Sequence, residues 1–219
     1  MAVVGALTDT LRREILDGER PAGARLVEQE LCARYGVARH SLRAALRALA
    51  AEGLIRVEPN RGARVAVLSP EDITGLYELR TALETEAARL ALERHGRMPP
   101  PVHQALARLV AASEAEPFTW GPVNAAHAEL HHAIVAAADS PRIEAAHAAL
   151  SGELRLFLNQ LEPLWSRERM AADHAALVAG LESEGPDVLR EHLRESAAAL
   201  LQDAGRAHNA RPALRRGRE

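Results

Sequence analysis

The order of apolar and polar residues divides the chain into two parts. Within residues 1–68, three stretches carry apolar residues at helical spacing, and two later runs, 54–57 and 64–67, alternate like short strands. The three helices are expected over 4–17, 28–35 and 39–51. The sequence Pro-Asn-Arg-Gly between the strand-like runs is typical of a hairpin turn. This succession predicts a winged helix-turn-helix domain over residues 1–68.

Residues 69–204 show helical periodicity and no strand pattern. Helices are expected near 71–94, 102–115, 119–138, 142–161, 167–183 and 187–204. Proline or glycine marks most of the breaks between them. We therefore predict a mainly α protein, with an all-α six-helix bundle over 69–204 as its second domain. Residues 205–219 are rich in Arg and lack an apolar face, so we expect a disordered tail.

Composition agrees with this fold and excludes several classes. Of the 219 residues, 47% are hydrophobic and only 3% are aromatic, and a high share of Ala and Leu favours closely packed helices. Cys32 is the single cysteine, which excludes a disulfide scaffold and a Cys-based zinc finger. No run reaches the ~18 apolar residues of a membrane span, and no signal-peptide pattern opens the chain. We therefore expect a soluble, cytoplasmic protein without a membrane partner.

The net charge of −3 conceals an asymmetry. Residues 1–68 carry 11 Arg against 8 acidic residues, a net charge of +3, whereas residues 69–219 carry 16 Arg against 22 acidic residues, a net charge of −6. A basic N-terminal domain on an acidic body indicates a polyanionic partner for that domain alone. A net charge of +3 over 68 residues can also arise by chance.

The third predicted helix carries the candidate DNA contacts. Arg39, Arg43 and Arg47 recur every four residues and form a ridge beside the apolar stripe. An Arg on a helix in the major groove can donate two hydrogen bonds to guanine or one to a phosphate. A solvated surface ridge is the alternative. The position after a helix-turn-helix turn, and the basic wing with Arg61 and Gly62, favour DNA.

Arg80 and Glu84 lie within or beside the apolar stripe of the first helix of the bundle. An Arg in a core stripe needs an anionic partner. That partner is either Glu84 itself or a bound anion, and the sequence leaves both open.

Four His residues share apolar faces on three predicted helices: His127, His131, His174 and His192. His127 and His131 are spaced at i, i+4, which directs two imidazoles at one atom, as zinc or nickel requires. Satisfied core histidines are the alternative, but each would need its own hydrogen-bond partners. We therefore predict a shared divalent metal site. His147, at the edge of its stripe, is a weaker candidate.

The N-terminal domain resembles the GntR-type DNA-binding domain. The matching segments are LVEQEL (26–31), YGVAR (35–39), LRAALRAL (42–49), EGLI (52–55) and PNRG (59–62). The resemblance implies that Arg39 and Arg43 contact DNA from the recognition helix, that Gln29 faces DNA, and that Gly62 is the wing glycine at the groove. Within this helix His40-Ser41 replaces a common Thr-Pro pair, and Ala38 replaces the usual N-cap Ser or Thr. The predicted DNA-binding set is Gln29, Arg39, His40, Ser41, Arg43, Arg47, Arg61 and Gly62.

The helical region resembles the FCD ligand-binding domain of the FadR branch, and its six helices fit the VanR-like subgroup. The matching segments are LRTALE (79–84), LHHAI (130–134), HAAL (174–177) and HL (192–193). The resemblance implies a divalent metal held by one Asp and three His beside a pocket for a small carboxylate. His131, His174 and His192 match the three His, and His127 takes the Asp position. The interval from His174 to His192 is about one helical turn shorter than expected for the family.

These observations predict a ligand-responsive transcriptional regulator, not an enzyme. We expect a homodimeric repressor on a palindromic operator, released when a small carboxylate binds near the metal, with Arg80 and Glu84 as the effector-binding residues. The alternatives are a metalloenzyme fused to a DNA-binding domain, a metal-free sensor whose His residues bind the ligand directly, and a structural dimer without ligand. No general base at a telling spacing supports the enzyme.

Overall fold

A computed structural model describes residues 2–58, 62–67, 69–160 and 166–210 of the protein. The chain divides into two units. The head unit comprises residues 1–67 and 149–160, and the helical unit comprises residues 68–148 and 161–219. The described part of the chain contains no helix that is both long and apolar enough to cross a membrane.

The head unit is a winged helix-turn-helix. Its N-terminal elements are α1 (Ala2–Leu16), β1 (Arg25–Leu26), α2 (Glu28–Tyr35), α3 (Arg39–Ala51), β2 (Ile55–Glu58) and β3 (Gly62–Val65). Gly36 ends α2 in the left-handed region at φ 63°, which a residue without Cβ adopts cheaply, and so allows the tight turn into α3. Ala38 precedes α3 and provides no side-chain cap, as its sequence indicates.

The sheet of the head unit has one strand more than predicted. The hairpin strands β2 and β3 pair antiparallel with Val57 opposite Ala63, and β1 pairs with the other edge of β3, giving the order β1-β3-β2. The two-residue strand β1 was missed because it is too short to show alternation. The turn residues 59–61, including Arg61, lie outside the described residues.

The helical elements of the chain beyond residue 69 are α4 (Pro70–His95), α5 (Pro100–Glu114), α6 (Trp120–Ala136), α7 (Pro141–Ala148), α8 (Ser151–Gln160), α9 (Arg167–Ser183) and α10 (Asp187–Ala210). Ser69 and Asp72 form a capping box at the start of α4, where the sequence indicates a helix start. Within the helical unit α4 packs against α6 and α10, and α5 packs against α6 and α9. The site described below lies on α4, α6, α7, α9 and α10.

The structure differs from the predicted helices in two places. The single helix expected over 142–161 is two helices, α7 and α8, and α8 groups with the head unit. Six helices of the described chain therefore remain in the helical unit. The tail expected from Gly205 is also shorter, because α10 continues to Ala210. Residues 211–219 lie outside the described residues.

Candidate functional site

The recognition helix α3 has one buried and one exposed face. Leu42, Leu46 and Leu49 are buried in the head core, which confirms the predicted stripe. The basic residues face outward: Arg39, His40, Arg43 and Arg47 are exposed, and Ser41 is half-buried. Because the apolar stripe anchors the helix, the Arg ridge is presented on a rigid element.

Other elements of the head unit carry residues that belong with this basic face. Arg43 Nε donates to a carboxylate oxygen of Glu28 at 2.9 Å, so a DNA phosphate or base would compete with an existing ion pair. Gln29 lies beside Glu28 on α2 and is exposed. Gly62 opens β3 with φ 82°, a conformation that a side chain would strain.

The helical unit brings three of the predicted metal ligands together. His127 and His131 on α6 and His174 on α9 are buried, and one ring nitrogen from each lies within 4.8 Å of the others. The His127 ring centroid is 4.7 Å from each of the other two. Among the described residues, no other group of three His, Cys, Asp or Glu meets this criterion.

Hydrogen bonds fix the tautomers of two of these imidazoles. His131 Nδ1–H donates to Glu84 Oε2 at 2.7 Å, and His174 Nδ1–H donates to the Met170 carbonyl at 2.8 Å. A carboxylate and a carbonyl can only accept, so both protons sit on Nδ1 and both Nε2 atoms carry a lone pair. Metal-binding His residues are commonly oriented in this way by an acceptor that binds the ring N–H facing away from the metal.

These two lone pairs face each other. The Nε2 atoms of His131 and His174 are 3.3 Å apart. A hydrogen bond between them would need one ring to be protonated, and burial lowers the pKa of both rings, that of His174 most strongly. Two nitrogens at zinc–nitrogen distances of ~2.0–2.1 Å and a tetrahedral angle are also about 3.3 Å apart. The pair is therefore shaped to hold a cation between its nitrogens.

His127 adds a third donor to the cluster. Burial holds its pKa well below the usual value, so the ring is neutral at neutral pH. Its Nδ1 is buried and has no hydrogen-bond partner among the described residues. A buried polar atom without a partner is costly, and a bound metal ion would satisfy it.

His192, the fourth predicted ligand, lies on α10 beside this cluster. Its ring is 4.8 Å from the His174 ring, centroid to centroid, and stacks on the His131 ring at 5.7 Å. Burial lowers its pKa to about 3. Its ring nitrogens do not join the group of three, so its role as a ligand stays a prediction.

Arg80 and Glu84 on α4 form a buried pair next to the His cluster. Arg80 Nε donates to Glu84 Oε1 at 2.6 Å, and its guanidinium lies 4.8 Å from the Tyr77 ring centroid. Its Nη2 is buried without a hydrogen-bond partner among the described residues. Burial alone would raise the pKa of Glu84, but Arg80 and His131 hold it well below the usual value, so the carboxylate is ionised.

Both oxygens of Glu84 are already occupied. Oε2 accepts from His131, and Oε1 accepts from Arg80 and from His147 Nε2 at 3.1 Å. An ionised carboxylate can only accept hydrogen bonds, so Glu84 has no donor to offer an anion, and its predicted contact with the effector stays a prediction. Its geometry instead orients Arg80 and His131.

Sequence reasoning missed three parts of this arrangement. It ranked His147 as a weaker candidate for the metal, whereas the structure places its buried ring on Glu84. It gave no role to Tyr77, although the spacing of Tyr77 and Arg80 places both on one helix face. The Met170 carbonyl could not be found from the sequence, since every residue carries one.

A winged helix-turn-helix joined to an all-helical unit is an arrangement typical of DNA-binding transcriptional regulators. Residues 4–65 match the family model described as bacterial regulatory proteins of the gntR family, and residues 75–199 match the FCD domain. The chain belongs to the GntR family of transcriptional regulators, in the group that carries an FCD domain. The matched families and the relatives below are regulators rather than enzymes.

Two relatives match nearly the whole chain. A probable D-xylose utilization operon transcriptional repressor from Paenarthrobacter nicotinovorans is 28% identical over 202 residues, which cover 91% of this chain and 87% of that protein. A crystal structure of a GntR transcriptional regulator from Rhodococcus sp. RHA1 has a TM-score of 0.76 at 27% identity, covering 92% of this chain and 99% of the other.

A third relative matches over a shorter stretch. The gluconate operon transcriptional repressor of Bacillus licheniformis is 38% identical over 87 residues, or 40% of this chain and 34% of that protein.

Proposed function

We propose that this protein is a repressor that binds a palindromic operator as a homodimer and responds to a small carboxylate bound beside a divalent metal. The names of the two relatives described as repressors support the direction of regulation. The exposed Arg ridge on α3 supports direct reading of the major groove, and a dimer would place two such helices about one DNA turn apart. GntR regulators of this kind bind DNA and small effectors. The short helical unit supports the VanR-like subgroup of the FadR branch.

The metal proposal depends on the two facing lone pairs. His127, His131 and His174 would hold the ion, with His192 as a fourth ligand. Neutral imidazoles favour zinc or nickel over magnesium or calcium, which prefer oxygen. A bound divalent ion would supply positive charge and a Lewis acid for a carboxylate oxygen. Glu84 and the Met170 carbonyl keep both Nε2 lone pairs directed at the ion.

The effector proposal depends on Arg80. Its Nη2 is a buried donor without a partner among the described residues, next to the His cluster. An anion with two oxygens would satisfy this donor and the metal together, which a carboxylate does well. Arg80 is therefore the effector-binding residue, and Glu84 positions it.

The observation that carries this function is the 3.3 Å approach of the His131 and His174 Nε2 atoms. The test uses full-length protein purified without a His tag, loaded with zinc, and a duplex selected from randomised DNA. We expect about one zinc per chain, and a loss of DNA affinity with one class in a panel of small carboxylates. Protein that binds DNA but takes up no zinc, and that carboxylates do not release, would contradict the proposal.

Arg43→Ala is expected to weaken binding to the selected duplex by about 1–3 kcal/mol, because one bidentate or phosphate contact is lost. Removing the competing ion pair with Glu28 offsets part of this loss. Fluorescence anisotropy at fixed salt measures the change. Arg108→Ala is the control, since Arg108 is an exposed Arg of the helical unit paired with Glu129. Equal affinities of Arg43→Ala and wild type would remove Arg43 from the DNA contacts.

A further inference from the structure

Helix α8 is built into the DNA-binding head although it follows α7 of the helical unit. Leu156 of α8 is only 2% exposed and belongs to the same core cluster as Leu42 and Leu49 of the recognition helix. This burial makes α8 a structural part of the head unit rather than a surface attachment.

The contacts of α8 include the turn that ends the recognition helix. A Cβ at Gly53 would lie 3.2 Å from the Glu153 carboxylate, and a Cβ at Gly152 would lie 3.3 Å from the Glu52 carbonyl oxygen. Both distances are shorter than ordinary van der Waals contact. Because the packing leaves no gap here, a shift of α8 must move the residues that follow α3.

Helix α7, directly before α8, contacts the Arg80–Glu84 pair beside the His cluster. We call this pair together with the His cluster the sensor site. His147 on α7 is buried and its Nε2 donates to Glu84 Oε1, the oxygen that also accepts from Arg80. Its Nδ1 has no hydrogen-bond partner among the described residues. Only two residues separate the end of α7 at Ala148 from the start of α8 at Ser151. The helix that contacts Glu84 is therefore followed directly in the chain by the helix that packs in the head core.

We propose that His147 and the α7–α8 segment carry the state of the sensor site to the recognition helix. Ligands at His131 or Arg80 redistribute the charge of Glu84, and this changes its bond to His147 and the position of α7. His147 is a positioning residue in this route, and the route rests on the proposed metal site. A ligand then shifts the head between two arrangements by its different affinity for them.

The test compares backbone amide exchange of the full-length protein with and without zinc, in wild type and in His147→Leu. In the wild type, zinc binding is expected to change the amide exchange of α8 and of the C-terminal turn of α3. His147→Leu keeps the proposed ligands, so it should bind zinc within about threefold of wild type. In this variant, zinc should no longer change the amide exchange of α8 and α3. His103→Leu, an exposed His on α5, is the control and should behave as wild type.

His147→Gln keeps an N–H donor for Glu84 and should retain the exchange change, which also tests the route if His147→Leu does not fold. The route would be overturned if the zinc-dependent change in amide exchange of α8 persists in His147→Leu. It would also be overturned if that change disappears in His147→Gln while zinc still binds. Zinc binding to wild type with no change in α8 would overturn it too, and would leave the metal site standing. Failure of wild type to bind zinc would overturn the metal site and the route together.

Discussion

Arg80→Met should lower the free energy of unfolding by about 3–5 kcal/mol, as expected when one partner of a buried ion pair is removed. The side chains of Arg80 and Glu84 are 1% and 0% exposed. Without the guanidinium, Glu84 either keeps its charge in a site that excludes water or takes up a proton. In both cases it loses its strongest partner. Urea unfolding in EDTA measures the loss, because the chelator removes any contribution from metal.

Arg89→Met on the same helix provides the control. Arg89 is 42% exposed and pairs with Glu86 and Glu93 at the surface, where water screens both pairs, so its replacement should change stability far less than that of Arg80. The double variant Arg80→Met with Glu84→Gln should lose less than the sum of the two single changes, since it leaves no unpaired charge. Additive losses would mean that the two side chains do not act as a pair.

The head was predictable from sequence because its signals are local. The spacing of Leu42, Leu46 and Leu49 gives one face of a helix, and the glycine at 36 marks the turn before it. The part of the head that was not predicted, α8, lies in a segment that begins at residue 149, far along the chain from the first segment, which ends at residue 67. Its own periodicity gives a helix, but the surface it packs against depends on tertiary structure. Amphipathic spacing alone therefore could not show that α8 packs with the core of the head unit.

The candidate site was partly predictable for the same reason. His127 and His131 are neighbours on one helix turn, and Arg80 and Glu84 are neighbours on another. That α9 brings His174 to the first pair was inferred from its apolar face and from family resemblance. What periodicity could not supply is the direction of each ring, which depends on Glu84 for His131 and on a backbone carbonyl for His174. Those acceptors make the site a metal centre in our proposal rather than four unrelated core histidines.

His174→Ala is expected to reduce zinc affinity more than about 100-fold, beyond the 10–100-fold typical of losing a group that only hydrogen-bonds to a metal ligand. At a free zinc concentration of 100 times the wild-type Kd, stabilisation by zinc should fall from about 2.7 kcal/mol in wild type to less than about 0.4 kcal/mol in the variant. Calorimetric titration measures the affinity, and thermal unfolding with and without zinc measures the stabilisation. His103→Ala, with an exposed imidazole, should match wild type in both.

The metal-free form of the same variant separates a metal site from an ordinary core. In EDTA, wild type holds two nitrogen lone pairs 3.3 Å apart with no cation between them, and His174→Ala relieves this repulsion. The stability lost by the variant should therefore be smaller in EDTA than in zinc. A core histidine that only fills space would cost the same in both conditions. Equal losses, together with unchanged zinc affinity, would favour the metal-free sensor, in which these imidazoles bind the carboxylate directly.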